Sequence, residues 1–388
     1  MKIGLFTIFR CLNYGAVLQA IALESVLMRL FPNAKVEIIN HLMDSRDNHL
    51  LGKITNPNTP WFQRWRNKRK FSKRYFKPEL FEHRREKTIA LIEKMLSLSA
   101  RLYEDPEELL ELERYDTVVV GSDQVWNPIL NHDFPTNQYL CSTFPEEQKR
   151  VSYAASFGVK DLPSQSFAKY RSALNKFSKI TVREETGSEI IFNLLGFRPQ
   201  VVLDPTMLMT TEEWKSLLSS ANCADTPSWR SKPAYVFAYW VRTIMQEDVD
   251  ALSQLAKRKN CDILLTVAGQ LPKLNFASNV IPCLDADPAD WVHLLSNSSA
   301  VVTDSFHGLQ FAMNFSKPVI SLGELKNTKS RVSRLVDFCV RYGVRNACRD
   351  IEEFRRGADM TLVDGFDSQK LKDDRERCIS ILKDMINV

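Results

Sequence analysis

Asp304-Ser305-Phe306-His307-Gly308 is the densest polar cluster in the second half of the chain. It follows a β-branched run, Ala300–Thr303, and precedes an apolar helical pattern. A histidine where a strand gives way to a helix can act as a proton donor near neutral pH, so His307 is the candidate general acid, the plainer alternative being a satisfied histidine of the cap region. Asp304 would orient it or cap the helix. In the first half, Gly121-Ser122-Asp123-Gln124-Val125-Trp126 ends the run "TVVVG". Asp123 can accept from, or deprotonate, a sugar hydroxyl, and the Trp126 indole can lie on a pyranose C–H face. The plainer alternative makes Asp123 a turn cap and Trp126 a core residue. Arg183 ends the run Lys179–Arg183 and offers paired N–H donors to a phosphate or carboxylate. Its alternative is an ion pair with a neighbouring Glu. Asn13, Tyr14 and Gly15 form the hinge before a helix. Gly15 and the unpaired N–H groups there make an anion or hydroxyl site. The alternative is an ordinary turn capped by Asn13.

These residues share a position: each follows a predicted strand. Strands are expected at Lys2–Phe9, Lys35–Asn40, Thr117–Gly121, 150–158, Lys179–Arg183, Gln200–Asp204, Ala234–Trp240, Asp262–Thr266, Ala300–Thr303 and Pro318–Ser321. Helices fall between most of them, as in a parallel sheet covered on both faces. The polar stretch 219–233 has no sustained period and reads as a linker. The expected organisation is therefore a domain over 1–218 with a basic-aromatic helical insertion at 61–98, a second over 234–364, and a terminal helix over 365–388. Two sheets of this kind face a cleft, and ligands lie beyond the carboxyl ends of their strands.

The insertion carries a second kind of signal. Residues 61–87 hold eleven Lys or Arg against three Glu, with aromatic residues interleaved. Trp61, Trp65, Arg66, Lys68, Arg69 and Lys70 are the expected contacts with an anionic membrane surface or a lipid phosphate. RNA binding and a solvated covering helix are the alternatives. The overall net charge of +5 over 388 residues is mild, so no nucleic-acid partner is expected. Eight scattered cysteines contain no C-x-x-C pair and the chain has six histidines, so neither a metal site nor a disulfide framework is expected. Arg10 and Asn13 interrupt the first apolar stretch, which excludes a signal-peptide reading, and no run approaches a membrane span. The expected location is cytoplasmic, with the protein peripheral at the inner membrane face.

Six ordered stretches carry a family resemblance: "LNYGAVLQAIAL", "DTVVVGSDQVWNP", "SYAASFG", "ITVREETG", "VLDPTMLMTTEEW" and "VVTDSFHGLQFAMNFSKP". Together they resemble the polysaccharide pyruvyl transferase family over residues 1 to about 320. The resemblance implies an α/β architecture of two facing Rossmann-like domains, glycosyltransferase B-like, with the terminal helix crossing back. It implies transfer of the enolpyruvyl unit of phosphoenolpyruvate, a co-substrate rather than a bound cofactor, to two hydroxyls of a saccharide, giving a ketal. The first domain would take the acceptor through Asn13, Tyr14, Gly15 and Trp126. The second would take the donor. The family's second-domain His falls on His307 and its first-domain Arg on Arg183. A further Arg present in some members two residues before the His is Ser305 here, so Ser305, backbone N–H groups including that of Gly308, or another basic residue would meet the phosphate. A polyprenyl-diphosphate-linked acceptor would explain the basic-aromatic segment. A glycosyltransferase with a nucleotide-sugar donor, with Glu324 gripping a ribose, and a non-catalytic glycan- or membrane-binding protein are the competing functions.

Overall fold

The computed structural model describes residues 1–42, 60–62, 66, 69, 75–129, 138–219, 228–325, 333–357 and 362–387. Valine, isoleucine and leucine runs with both faces apolar build two parallel sheets. The first half begins with β1 (Lys2–Phe6), α1 (Tyr14–Leu30) and β2 (Lys35–Ile38), followed by α2 (Pro78–Met95) and β3 (Thr117–Val120). It continues through β4 (Arg150–Ala155), α3 (Phe167–Leu174), β5 (Lys179–Val182), α4 (Glu185–Leu195) and β6 (Gln200–Val201), with α5 (Thr211–Ser219) after it. The strand order is β2-β1-β3-β4-β5-β6. All residues of β3 and β4 are buried, as expected of strands covered on both faces.

The second half comprises β7 (Tyr235–Trp240), α6 (Gln246–Lys259), β8 (Asp262–Val267), β9 (Val280–Pro282), α7 (Pro288–Asn297), β10 (Ala300–Thr303), α8 (Phe306–Asn314), β11 (Val319–Gly323), α9 (Ser333–Arg341), β12 (Cys348–Asp350) and α10 (Ile351–Arg355). Its order is β12-β11-β10-β7-β8-β9, again parallel throughout. In each sheet the order reverses beside the first strand, between β1 and β3 and between β7 and β10. Those are the crevices where open parallel sheets hold ligands.

The terminal helix α11 (Ser368–Ile386) returns to the first half. Its Cys378 Sγ accepts from the Leu203 N–H at 3.3 Å, and Arg375 Nε donates to the Met207 carbonyl at 2.7 Å. Leu371, Leu382, Met385 and Ile386 on its inner face are buried.

The two halves share one core. Helix α1 is buried along both faces because it lies between the first sheet and α7. At its start the Tyr14 hydroxyl donates to the Ala286 carbonyl at 3.1 Å, and its ring stacks on Trp291. Arg84 of α2 reaches across to the carbonyls of Val267 at 2.7 Å and Ala268 at 3.0 Å and also donates to Tyr14. One turn on, Lys87 meets Asp290 at 2.5 Å.

Several expected boundaries move, for local reasons. The helical insertion expected over 61–98 cannot run as one helix through Pro78, which lacks an N–H and clashes with the preceding turn. Trp61 and Phe62 are helical, Lys77 adopts φ +43°, and α2 starts at Pro78, where proline is tolerated. β1 stops at Phe6 rather than Phe9. β6 ends at Val201, because Asp204 turns to accept from the Thr206 N–H at 3.0 Å, capping a turn over Pro205–Met207. The terminal helix starts at Ser368 under an Asp367 cap.

Candidate active site

Three strand ends of the first half and one helix start of the second converge on Asp204. This carboxylate has no solvent exposure. Oδ1 accepts from the Thr206 N–H and from its hydroxyl at 2.8 Å. Oδ2 accepts from Arg183 Nη1 at 2.9 Å and from the Ser122 hydroxyl at 3.0 Å. His307 Nε2 lies 3.5 Å from the same oxygen. Burial alone would push the Asp204 carboxyl up. The His307 imidazole and the Arg183 guanidinium outweigh it and hold the group well below the usual carboxylate range.

Arg183 is expected to clamp the donor, but the structure gives it other partners. Its side chain is 1% exposed and faces three carboxylates: Asp204, Asp123 at 3.4 Å and Glu184 at 3.6 Å. Burial works against its charge, and those carboxylates more than compensate, raising its pKa. The plainer alternative of an ion pair with neighbouring Glu is thus part of the arrangement. Its guanidinium also lies 5.2 Å from the centre of the Phe306 ring.

His307 occupies the first turn of α8. Ser305 caps that helix, its hydroxyl accepting from the Gly308 N–H at 3.2 Å. Gly308 is buried against β10, where an added Cβ would stand 2.5 Å from Thr303 Oγ1. It therefore serves close packing of helix on strand rather than presenting a free N–H to a donor. On its other side the imidazole rests on the start of α1: a Cβ built on Gly15 would fall 2.2 Å from His307 Nδ1. The ring is held between Asp204 and the first turn of α1, with 7% of the residue exposed.

The expected acceptor residues divide. Asn13 caps α1, accepting from the Gly15 N–H at 3.1 Å, as the plainer alternative has it. Tyr14 is 1% exposed and joins the two halves, so it does not line an acceptor surface. Trp126 is fully buried, with Nε1 donating to the Tyr139 carbonyl and its ring against Phe157 and Phe177, so its indole face is not offered to a sugar. Asp123 does stand at the site, at φ +63°, with 12% of its side chain exposed. Asp304 faces away from the imidazole, towards Arg242. Of the basic-aromatic residues, Trp61 is 75% exposed and Arg66 and Arg69 are exposed; Trp65, Lys68 and Lys70 lie outside the described residues.

Two residues central to this geometry were not singled out from the sequence. Asp204 ends a predicted strand, the same signal that pointed to Asp123 and Arg183, but the Asp-Pro that follows reads as a turn. Arg242 follows β7 by two residues within an apolar run and has no polar cluster around it in sequence. Glu184, whose Oε1 accepts from the Ser156 hydroxyl at 2.7 Å, completes the acidic lining.

The fold and site define a class: an α/β protein of two parallel-sheet halves, with an imidazole of one placed against a buried carboxylate of the other. The chain belongs to the polysaccharide pyruvyl transferase family, whose model matches residues 13–325, and it is accordingly a transferase. No curated protein matches it. Among solved structures, it is similar to UDP-GlcNAc 2-epimerase from Methanocaldococcus jannaschii, at 14% identity over 98% of this chain and 99% of that one, with a TM-score of 0.49. The Neisseria meningitidis UDP-GlcNAc 2-epimerase follows at 11% identity, 99% of each chain and TM-score 0.48. The E. coli ADP-heptose LPS heptosyltransferase II stands at 15% identity, 100% and 98% coverage and TM-score 0.37. None of these likenesses bears on the chemistry.

Proposed function

We propose that the protein transfers the enolpyruvyl unit of phosphoenolpyruvate to two hydroxyls of a saccharide, forming a cyclic ketal in surface-polysaccharide biosynthesis. The observation that carries this reading is the His307–Asp204 pair inside the family-matched region. In the reaction a proton adds to the donor's methylene carbon, making a methyl group and an oxocarbenium-like centre at the neighbouring carbon. The first hydroxyl adds there and loses its proton. The carbon–oxygen bond to phosphate then breaks, phosphate leaving with the electron pair. The second hydroxyl closes the ring, and its proton goes to phosphate or solvent.

His307 supplies the first proton. Asp204 is the carboxylate that faces its ring, 3.5 Å from Nε2. Arg183 keeps Asp204 ionised, so in this state it acts through the carboxylate rather than on the donor. Asp123, the partly exposed carboxylate, is placed to accept a proton from an acceptor hydroxyl. Because the imidazole is covered by α1, donor entry requires the Gly15–His307 contact to open.

The acceptor is proposed to be carried on a polyprenyl diphosphate at the cytoplasmic face of the membrane. Trp61 and Phe62, 75% and 52% exposed beside basic residues, support that placement. Among the described residues no helix is long and apolar enough to cross a membrane. Flotation with phosphatidylglycerol vesicles checks it: wild type should float and a Trp61→Ser/Phe62→Ser variant should not.

The chemistry is tested by phosphate release from phosphoenolpyruvate with saccharide acceptors. His307→Gln should lose about 10²–10⁴-fold in kcat, the usual contribution of a general acid. Undiminished release by this variant, or stabilisation of the wild type by a nucleoside diphosphate with no response to phosphoenolpyruvate, would overturn the proposal.

A further inference from the structure

Phosphoenolpyruvate carries a phosphate and a carboxylate, and the expected clamp is in the wrong electrostatic setting to hold them. Around Arg183 three carboxylates face one guanidinium and one imidazole. An anion approaching that group meets a surplus of negative charge. It would have to displace Asp204, which is fully buried and accepts four hydrogen bonds. Ser305, the other expected phosphate contact, is 5% exposed and its hydroxyl oxygen accepts from the Gly308 N–H as the cap of α8, leaving a single neutral O–H donor for an anion.

Arg242 stands differently. It follows β7, the strand at the crevice of the second sheet, directly beside β10 and the cluster that leads to His307. Asp304, whose side chain has no solvent exposure, organises this corner. It accepts from the Val241 N–H at 2.6 Å, the Arg242 N–H at 3.0 Å and Arg242 Nε at 2.9 Å. One edge of the guanidinium is thereby pinned by a buried carboxylate. The other end is held loosely: Nη1 donates to Glu324 at 3.2 Å, and Nη2 is buried without a hydrogen-bond partner among the described residues. Arg242 is 34% exposed and Glu324 44%. An ion pair that exposed contributes little, so exchanging it for another anion is cheap. A fixed guanidinium with a replaceable acidic partner and a spare donor matches the two-oxygen edge of a carboxylate or phosphate.

We propose that Arg242 binds an anionic group of the donor, and that the Glu324 carboxylate occupies its place until the donor displaces it. This rests on the pyruvyl-transfer reading. It assigns Asp304 the role of positioning Arg242 rather than His307, and it removes Glu324 as a ribose-gripping residue. The two arginines then divide the work: Arg183 helps to hold the Asp204 carboxyl below the usual carboxylate range, and Arg242 holds the donor.

The test is a melting-midpoint titration of wild type, Arg242→Gln, Arg242→Lys and Glu324→Gln with phosphoenolpyruvate, with UDP as a second probe. Arg242→Gln should need at least about tenfold more phosphoenolpyruvate, the loss expected for a charge-assisted pair to an anion. Arg242→Lys, which keeps the charge but not the fork, should fall between. Glu324→Gln should need less than wild type, because the competing carboxylate is gone. In turnover, Arg242→Gln should raise KM for phosphoenolpyruvate more than it lowers kcat.

Wild-type titration behaviour in Arg242→Gln would overturn the inference. If that variant fails to fold because Asp304 loses its counter-charge, Glu324→Gln decides: tighter binding upholds the proposal and unchanged binding overturns it. A wild type that answers to UDP alone ends the pyruvyl-transfer reading, and Arg242 remains the anion anchor only if Arg242→Gln weakens that answer. A wild type that answers to neither probe overturns both.

Discussion

At the scale of single residues, Asp204 and Gly15 decide what His307 can do. Asp204 stands between the Arg183 guanidinium and the His307 imidazole, from two halves of the molecule, so removing its charge leaves Arg183 with poorer compensation. Breaking a buried pair from one side typically costs about 3–5 kcal/mol. Asp204→Asn should therefore melt well below wild type. The pH dependence has a definite sign. Because the folded-state pKa of Asp204 is lowered, its stabilisation is present above the unfolded carboxylate value and is lost as pH falls towards the folded one. The gap in melting temperature between wild type and Asp204→Asn should hold through neutral pH and narrow only below about pH 4. Gly15→Ala tests the other side of the ring. The added methyl would meet Nδ1, so the imidazole must move. Since misplacing a reacting group by about 1 Å can cost about 10²-fold, we expect a kcat loss of at least about tenfold. Far-ultraviolet circular dichroism should show the fold retained.

At the scale of elements, α1 and α2 do more than cover a sheet. Glu24, buried in α1, accepts from the Ser97 N–H at 3.0 Å. Burial pushes its pKa from 4.5 up to about 7, with that hydrogen bond pulling back only in part. A raised carboxyl pKa means the folded state keeps the proton longer than the unfolded one, so stability falls as pH rises from 4.5 through about 7. At about 1.4 kcal/mol per pKa unit the cost above that range reaches about 3 kcal/mol. Glu24→Gln keeps the acceptor and should melt higher than wild type near pH 8 but nearly level with it near pH 5, as followed by calorimetry. Arg84 of α2 joins the halves through two carbonyls and the Tyr14 hydroxyl. Arg84→Ala leaves these buried groups without their donor, at about 1–3 kcal/mol each for the unsatisfied acceptors. Calorimetry should show a lower, broadened transition as the halves unfold less in concert. The sequence pattern marks the end of β10 and the start of α8 because β-branched and small residues change to a capped helix within three positions. It does not mark the end of β1, where the apolar run "FTIF" continues past the last paired residue.

At the scale of the whole molecule, α11 completes the first half although it lies after the second. Leu371, Leu382, Met385 and Ile386 bury apolar side chains in the core that the two halves share, each contributing about 1.5–3 kcal/mol. Their sum is comparable with the total stability of a domain, about 5–15 kcal/mol. Truncation after Asp364 should therefore yield protein without a cooperative thermal transition, whereas truncation after Ile386 should melt like the full chain. Taken alone, the sequence determined the alternation of elements, the parallel character of both sheets and the strand ends that deserve attention, because those follow from periodicity and local turn chemistry. It placed His307, Asp123 and Arg183 at strand ends but could not say which of them meet. The tertiary structure decided that Asp204 is their common partner, that Trp126 and Tyr14 are packing residues, and that Arg242 is pinned by Asp304. Those outcomes depend on contacts between residues 13 to 272 positions apart, and no local preference encodes which buried carboxylate will face which cation.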